Sequence, residues 1–213
     1  LDASVEAIHS TAGRIVFSGV KCGPPLPGFR GVQVVSGSVD SEHSLLGQTR
    51  SCTECDRWSS SGCERPSVVG ATVGLQDPAD RNVVSGNLYG IIVAIASADA
   101  RIIGNYVGID ATGSAALGND VYAVMVTATG GGNVVGGSTP AERNVISGNG
   151  TGVYSSVAGT TISGNYLGTD AAGSAGIGNN TAVRLDNGAT GNTVGGTTAG
   201  ERNIISGNTG QYG

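Results

Sequence analysis

Lysine is almost missing from this chain. Lys21 is the only one in 213 residues, and Asp, Glu, Lys and Arg together supply 13% of the sequence at a formal net charge of −5. The arginines are scattered singly. Neutralising a phosphate backbone requires a basic face, so nucleic acid is excluded as a partner. No apolar run approaches the roughly 18 residues that cross a bilayer as a helix, so membrane insertion is not expected. Large rings are also scarce, with two Phe and one Trp. The core must therefore be built from Val, Ile, Leu and Ala in narrow columns. His9 and His43 are the only histidines, and neither has a Ser or Cys placed to form a triad. Asparagine is absent through residue 81 and then occurs fourteen times. The amino-terminal third is a different object from the rest.

Glycine, at 38 residues, is abundant, and so is repetition. Asp80-Arg81-Asn82-Val83-Val84-Ser85-Gly86-Asn87 returns as Glu142 to Asn149 and again as Glu201 to Asn208. Between them, the stretch Gly104 to Ser114 (GNYVGIDATGS) returns as Gly164 to Ser174 (GNYLGTDAAGS). The period is about 60 residues and divides into halves of about 30. Turns begin near Thr72, Arg101, Asn133, Thr161 and Asn192. Each holds three short apolar runs, which read as three columns. One runs Ile103, Val135, Ser163, Val194, on an alignment of Val134-Val135-Gly136 with Ile162-Ser163-Gly164. A second runs Val84, Leu117, Ile146, Ile177, Ile205. A third runs Ile91, Val124, Val153, Val183. The third alternates with period two, placing Val183 and Leu185 on one side and Arg184 and Asp186 on the other. That is strand periodicity.

Three short strands per turn, about 30 residues apart and separated by Gly, Asn and Thr, predict an all-β parallel solenoid. Equivalent strands would stack about 4.8 Å apart in three parallel sheets. Asn87, Asn119, Asn149 and Asn179 recur at one corner, where Asn tolerates the bend and can form a hydrogen-bonded ladder.

The strings GNYxGTDAxGSAxxGN and VGGxTxxxRNxISGN resemble the repeats of right-handed parallel β-helix proteins of the pectin-lyase-like type. The likeness covers about residues 72–208. It implies a right-handed coil and a secreted or surface-attached bacterial protein. It does not choose among lyases, hydrolases, adhesins and stalks. The resemblance also implies what an enzyme of this type would carry. Pectate lyases use a calcium-binding aspartate cluster and an arginine base. Polygalacturonases use Asn-Thr-Asp, Asp-Asp, Gly-His-Gly and Arg-Ile-Lys. None of those polygalacturonase strings occurs here.

The chain divides into residues 1–71 and 72–213. Residues 1–12 predict a short helix with Asp2 as N-cap, followed by a strand over 14–20. That order resembles the cap that closes the end of many β-helices. The stretch 31–39 is strand-like. Residues 40–66 form a loop holding Cys52, Cys55 and Cys63. With Cys22, these are read as two disulfides, one inside 52–63 and one from Cys22. Zinc would want a second Cys-x-x-Cys that is missing. Neither metal nor cofactor is expected. The chain starts at Leu1 with no signal peptide and is read as processed or trimmed. The repeat stops part-way through a turn near Thr209, so the expectation is a cut chain or an end covered by another molecule.

A stacking residue is needed in every turn, whereas a catalytic one is needed once. The repeated Asp110 and Asp170 therefore read as turn residues, and Asp80-Arg81, Glu142-Arg143 and Glu201-Arg202 as stacked ion pairs. Asn149-Gly-Thr and Asn179-Asn-Thr match the glycosylation pattern but belong to the ladder. The unique polar residues are Asp99, Arg101, Asp120, Arg184 and Asp186. Arg184 and Asp186 share an outward face with Tyr154, Met125 and Ile92 in the column before them. Tyr154, Arg184 and Asp186 are the candidate binding residues, and Arg184 and Asp186 the weak catalytic candidates. The expected function is an extracellular structural or adhesive solenoid that stacks end to end on itself. The alternatives are a polysaccharide lyase or hydrolase and a glycan-binding module.

Overall fold

The computed structural model describes residues 32–34, 72–74, 81–93, 98–127, 130–186 and 188–210. The predicted helix at 1–12, the loop 40–66, all four cysteines and both histidines lie outside them. The chain coils through β1 (Val32–Val34), β2 (Thr72–Val73) and β3 (Val83–Val84), then β4 (Tyr89–Val93), β5 (Arg101–Ile102) and β6 (Tyr106–Val107). It continues through β7 (Tyr122–Val126), β8 (Val134–Gly136) and β9 (Val145–Ile146), then β10 (Thr151–Ser155), β11 (Thr161–Ser163) and β12 (Tyr166–Leu167). The last turn is β13 (Thr181–Leu185), β14 (Thr193–Val194) and β15 (Ile204–Ile205). Every third strand joins one sheet, giving three five-stranded sheets in the orders β1-β4-β7-β10-β13, β2-β5-β8-β11-β14 and β3-β6-β9-β12-β15. All named strand pairs are parallel. The three-sheet solenoid with about 30 residues per turn is therefore present, and β1 lies within the strand-like stretch 31–39.

The core is a stack of aliphatic side chains. In the first sheet Ile91, Val124, Val153 and Val183 are in register, as the periodicity predicts. The other two columns differ. The second sheet aligns Val73, Ile102, Val135, Ile162 and Val194, so Ile102 and Ile162 replace Ile103 and Ser163. Aligning glycine with glycine caused the slip. The hydrogen bonds set Gly136 opposite Ser163, not Gly164. Gly136 has φ +90°, and a Cβ there would overlap the Ser163 carbonyl oxygen, so the backbones touch only because the side chain is absent. The third sheet aligns Val84, Val107, Ile146, Leu167 and Ile205. Leu117 and Ile177 sit instead on connections, and Leu117 is 53% exposed.

Those connections explain the 60-residue period. From second to third sheet the path is long at 137–144 and 195–203 but short at 103–105 and 164–165. From third to first sheet it is long at 108–121 and 168–180 but short at 85–88 and 147–150. The turns therefore alternate between two kinds. Each short corner is covered by the long connection of the following turn. Gly104 donates to the Glu142 carbonyl at 3.1 Å and Gly164 to that of Glu201 at 3.0 Å. Gly86 donates to Leu117 and Gly148 to Ile177, both at 2.9 Å. Long connections two turns apart also touch, with Ala171 N–H donating to Gly113 at 2.9 Å. A connection that fills the depth of two strands has room to recur only every second turn.

Candidate functional site

Two buried asparagine columns run the length of the described solenoid. At the corner before the first sheet, Asn87 donates its side-chain amide to Asn119 (3.2 Å), Asn119 to Asn149 (2.9 Å), Asn149 to Asn179 (3.0 Å) and Asn179 to Asn208 (3.2 Å). A second column stands before the third sheet. There Asn82 donates to Asn105 (2.8 Å), Asn105 to Asn144 (3.0 Å), Asn144 to Asn165 (2.9 Å) and Asn165 to Asn203 (3.2 Å). Each acceptor oxygen from Asn119 to Asn208 and from Asn144 to Asn203 also takes the backbone N–H of the asparagine one turn earlier. The remaining amide proton reaches a main-chain carbonyl, as from Asn149 to Val107 and from Asn144 to Ile102. A buried amide left unpaired costs about 1–3 kcal/mol, and here the stacking satisfies it. Asn149 and Asn179 are buried in this ladder, which accounts for them without glycosylation.

The second column was missed in the sequence. Its residues alternate between two dissimilar strings, Arg-Asn and Gly-Asn-Tyr, because successive turns are of different kinds. The same alternation hid a further pairing. The Arg81 guanidinium lies 4.1 Å from the centroid of the Tyr106 ring, and that of Arg143 lies 4.2 Å from Tyr166. Arg143 also donates to the Gly164 carbonyl. Glu142 pairs with Arg101 at 2.6 Å rather than with Arg143. This replaces the expected Glu142-Arg143 pair, since the guanidinium of Arg143 is committed to a ring one turn on. Asp80 lies outside the described residues.

Glu142 also accepts from the N–H groups of Ser138 and Thr139 and from the Thr139 hydroxyl. Burial pushes its pKa up, but these hydrogen bonds and Arg101 outweigh it and hold the carboxyl below its ordinary value. Asp110 and Asp170 behave as turn residues. Asp110 accepts from the Thr112 hydroxyl and the N–H groups of Ala115 and Ser114, and these bonds lower its pKa. Asp170 does the same through Ala175 and Ser174.

The outward face of the first sheet brings the proposed contact residues together. Ile92, Met125, Tyr154 and Arg184 are in register. Arg184 donates to Asp186 at 2.8 Å, and its guanidinium lies 6.0 Å from the Tyr154 ring. The Asp186 hydrogen bond raises the Arg184 pKa further. The two candidate catalytic groups are thus an ion pair with each other. Tyr89 and Tyr122, which sequence reasoning passed over, extend the face. The Tyr122 ring stacks on Tyr154 at 4.6 Å, and Tyr89 lies 5.9 Å from Tyr122. The signal was a tyrosine directly before a small residue, Gly90 or Ala123, at the start of a strand. Among the described residues no group of three His, Cys, Asp or Glu side chains is placed to hold a metal.

The last turn presents an edge. Leu185, Val194 and Ile205, on the last described strand of each sheet, are 40%, 45% and 45% exposed. No family model, curated protein or solved structure matches the chain.

Proposed function

We propose that this chain is a structural or adhesive β-solenoid, secreted or displayed at a cell surface, that uses its regular stack as a scaffold and its β13–β15 edge for axial growth. The observation that carries the reading is the pair of asparagine columns. The polar groups that recur in every turn bond to the turns above and below and are thereby occupied in holding the stack together. Apart from the Asn82 side-chain oxygen, which no described residue meets, the stacked amides are paired, and a buried polar network of this kind fixes one arrangement of the chain. The resemblance to pectin-lyase-like repeats supports the extracellular placement. End-to-end stacking of copies is one form such growth would take.

A second reading is favoured by the stacked Tyr122 and Tyr154 rings beside Arg184 and Asp186. Tyr154 is buried, so a sugar chain would meet the more exposed Arg184–Asp186 ion pair beside the tyrosine row, as substrate of a lyase or hydrolase or as a bound ligand. A panel of acidic polysaccharides, assayed for new reducing ends and unsaturated uronates, separates the two. The scaffold reading expects no turnover. Turnover abolished by Asp186→Asn overturns it, and saturable binding without turnover assigns the tyrosine face to glycan attachment.

A further inference from the structure

The crossing from β1 to β2 is unlike its counterparts. From the first sheet to the second, the later turns use residues 94–100, 127–133, 156–160 and 186–192, but the first turn uses 35–71. The extra length is about one turn of the coil, yet no such turn is inserted. Its first-sheet strand would have to lie between β1 and β4. Those two strands pair directly, Val32 with Ile91, Gln33 with Ile92 and Val34 with Val93. Strand pairing thus leaves residues 35–71 no level of their own in the stack. The segment departs beside Ile92 and Val93 and returns at Thr72.

The three outer faces of the coil differ in what they offer it. The third sheet is already covered by Tyr106, Tyr166 and the long connections. The second sheet turns Arg101, Val134, Thr161 and Thr193 outward in register, and all four are exposed or half-buried. The first sheet carries the outward row Ile92, Met125 and Tyr154. Ile92 is 3% exposed and Tyr154 8%, yet neither belongs to the aliphatic core or to the layer on the third sheet. An outward isoleucine that water does not reach has a further layer over it. We infer that residues 35–71 are that layer, packed on the outward face of the first sheet across the Ile92–Met125–Tyr154 row. The segment has apolar side chains for the contact, Leu45, Leu46, Trp58, Val68 and Val69. From β1 to β10 is three strand spacings, about 14 Å, and a chain of this length spans that distance out and back. Arg184, one strand beyond Tyr154, stays exposed. The inference goes beyond both functional readings and depends on neither.

Met125 is the only methionine, so its oxidation by dilute hydrogen peroxide, read by peptide mass, reports the cover over this row. The test compares the full chain with a form in which 35–71 is replaced by a copy of residues 94–100. Removing the segment should speed Met125 oxidation at least about fivefold, since sulfoxide formation follows exposure, while the circular dichroism of the coil is retained. Equal rates in two folded chains overturn the inference. Limited trypsin digestion of the full chain gives a second measurement, which stands whether or not the shortened form folds. It reads cutting after Arg50 and Arg57. Ile92→Ser should speed those cuts at least about threefold, because proteolysis follows the population of the released segment. Val134→Ser, on the second sheet, should leave them unchanged. Faster cutting in Val134→Ser alone would put the segment on the second sheet, and no change in either variant would put it on neither face; both results overturn the inference. So does a folded chain lacking residues 1–31 in which Met125 oxidises as fast as in the shortened form, since residues 1–31 would then be the cover.

Discussion

Arg143 and Tyr166 belong to successive turns, and the guanidinium lies 4.2 Å from the ring centroid. Gly173 closes on the same ring, where a Cβ would sit about 2.9 Å from the ring edge. Tyr106 is held in the same way by Arg81 and Gly113. These rings form an outer layer on the third sheet with Ile109 and Val145, while Ala171 and Ile177 pack against it. The long connections are thus glued to the coil by an aromatic contact that recurs every second turn.

Tyr166→Ala is expected to cost about 2–4 kcal/mol, combining lost ring burial with the cation–π contact. Tyr166→Phe should retain most of that, because the ring face is what Arg143 meets. Urea unfolding followed by circular dichroism checks both. A phenylalanine variant as weak as the alanine one would show that the hydroxyl, not the ring, carries the contact.

Asn144→Ala removes an acceptor for Asn105 and a donor to Asn165 and Ile102. Several buried groups lose partners at once, so a loss of about 3–5 kcal/mol is expected. Asn203→Ala should cost less, since that half-buried side chain ends the column and donates to no further asparagine. Equal losses at the two sites would mean that the ladder is not what holds the interior turns.

Glu142 titrates lower in the folded chain than in the unfolded one. Its contribution is therefore present above the ordinary glutamate value near 4.5 and is lost as pH falls through the lower folded value. Melting temperature should drop in acid below about pH 4.5. Glu142→Gln should flatten part of that drop while lowering stability at pH 7. An unchanged acid profile in Glu142→Gln would assign the effect to other carboxylates, with Asp110, Asp170 and Glu201 shifted in the same direction.

Gly136→Ala places a methyl against the Ser163 carbonyl oxygen at a positive φ. Strain and overlap together should cost about 2–4 kcal/mol or more. Gly188→Ala, also at positive φ but with nothing near its Cβ position, should cost about 1 kcal/mol. Thermal unfolding of the two variants makes the comparison.

The coil, the turn length and the first-sheet column were legible because five-residue strands such as Tyr122–Val126 are long enough to show alternation. Strands of two residues, such as Tyr106–Val107, show none. Their register had to be borrowed from the surrounding glycines, which the long connections displace by one. Leu117 and Ile177 look like core residues in the string, yet they belong to loops that fold over the neighbouring turn. The Asn82 to Asn203 column and the arginine–tyrosine contacts join residues 21 to 39 positions apart in two unlike motifs, so no single repeat displays them. Tyr154, Arg184 and Asp186 were placed on one face from alternation alone. That Arg184 and Asp186 neutralise each other, and that Tyr122 stacks on Tyr154, depends on side-chain packing that alternation does not encode.

The axial-growth reading is most directly tested by the solution mass of the chain, measured by light scattering from micromolar to near-millimolar concentration. Stacking of copies predicts a mass that climbs above 20.9 kDa with concentration, with rods in negative-stain images of the same sample. A mass that stays near 20.9 kDa at every concentration would contradict it.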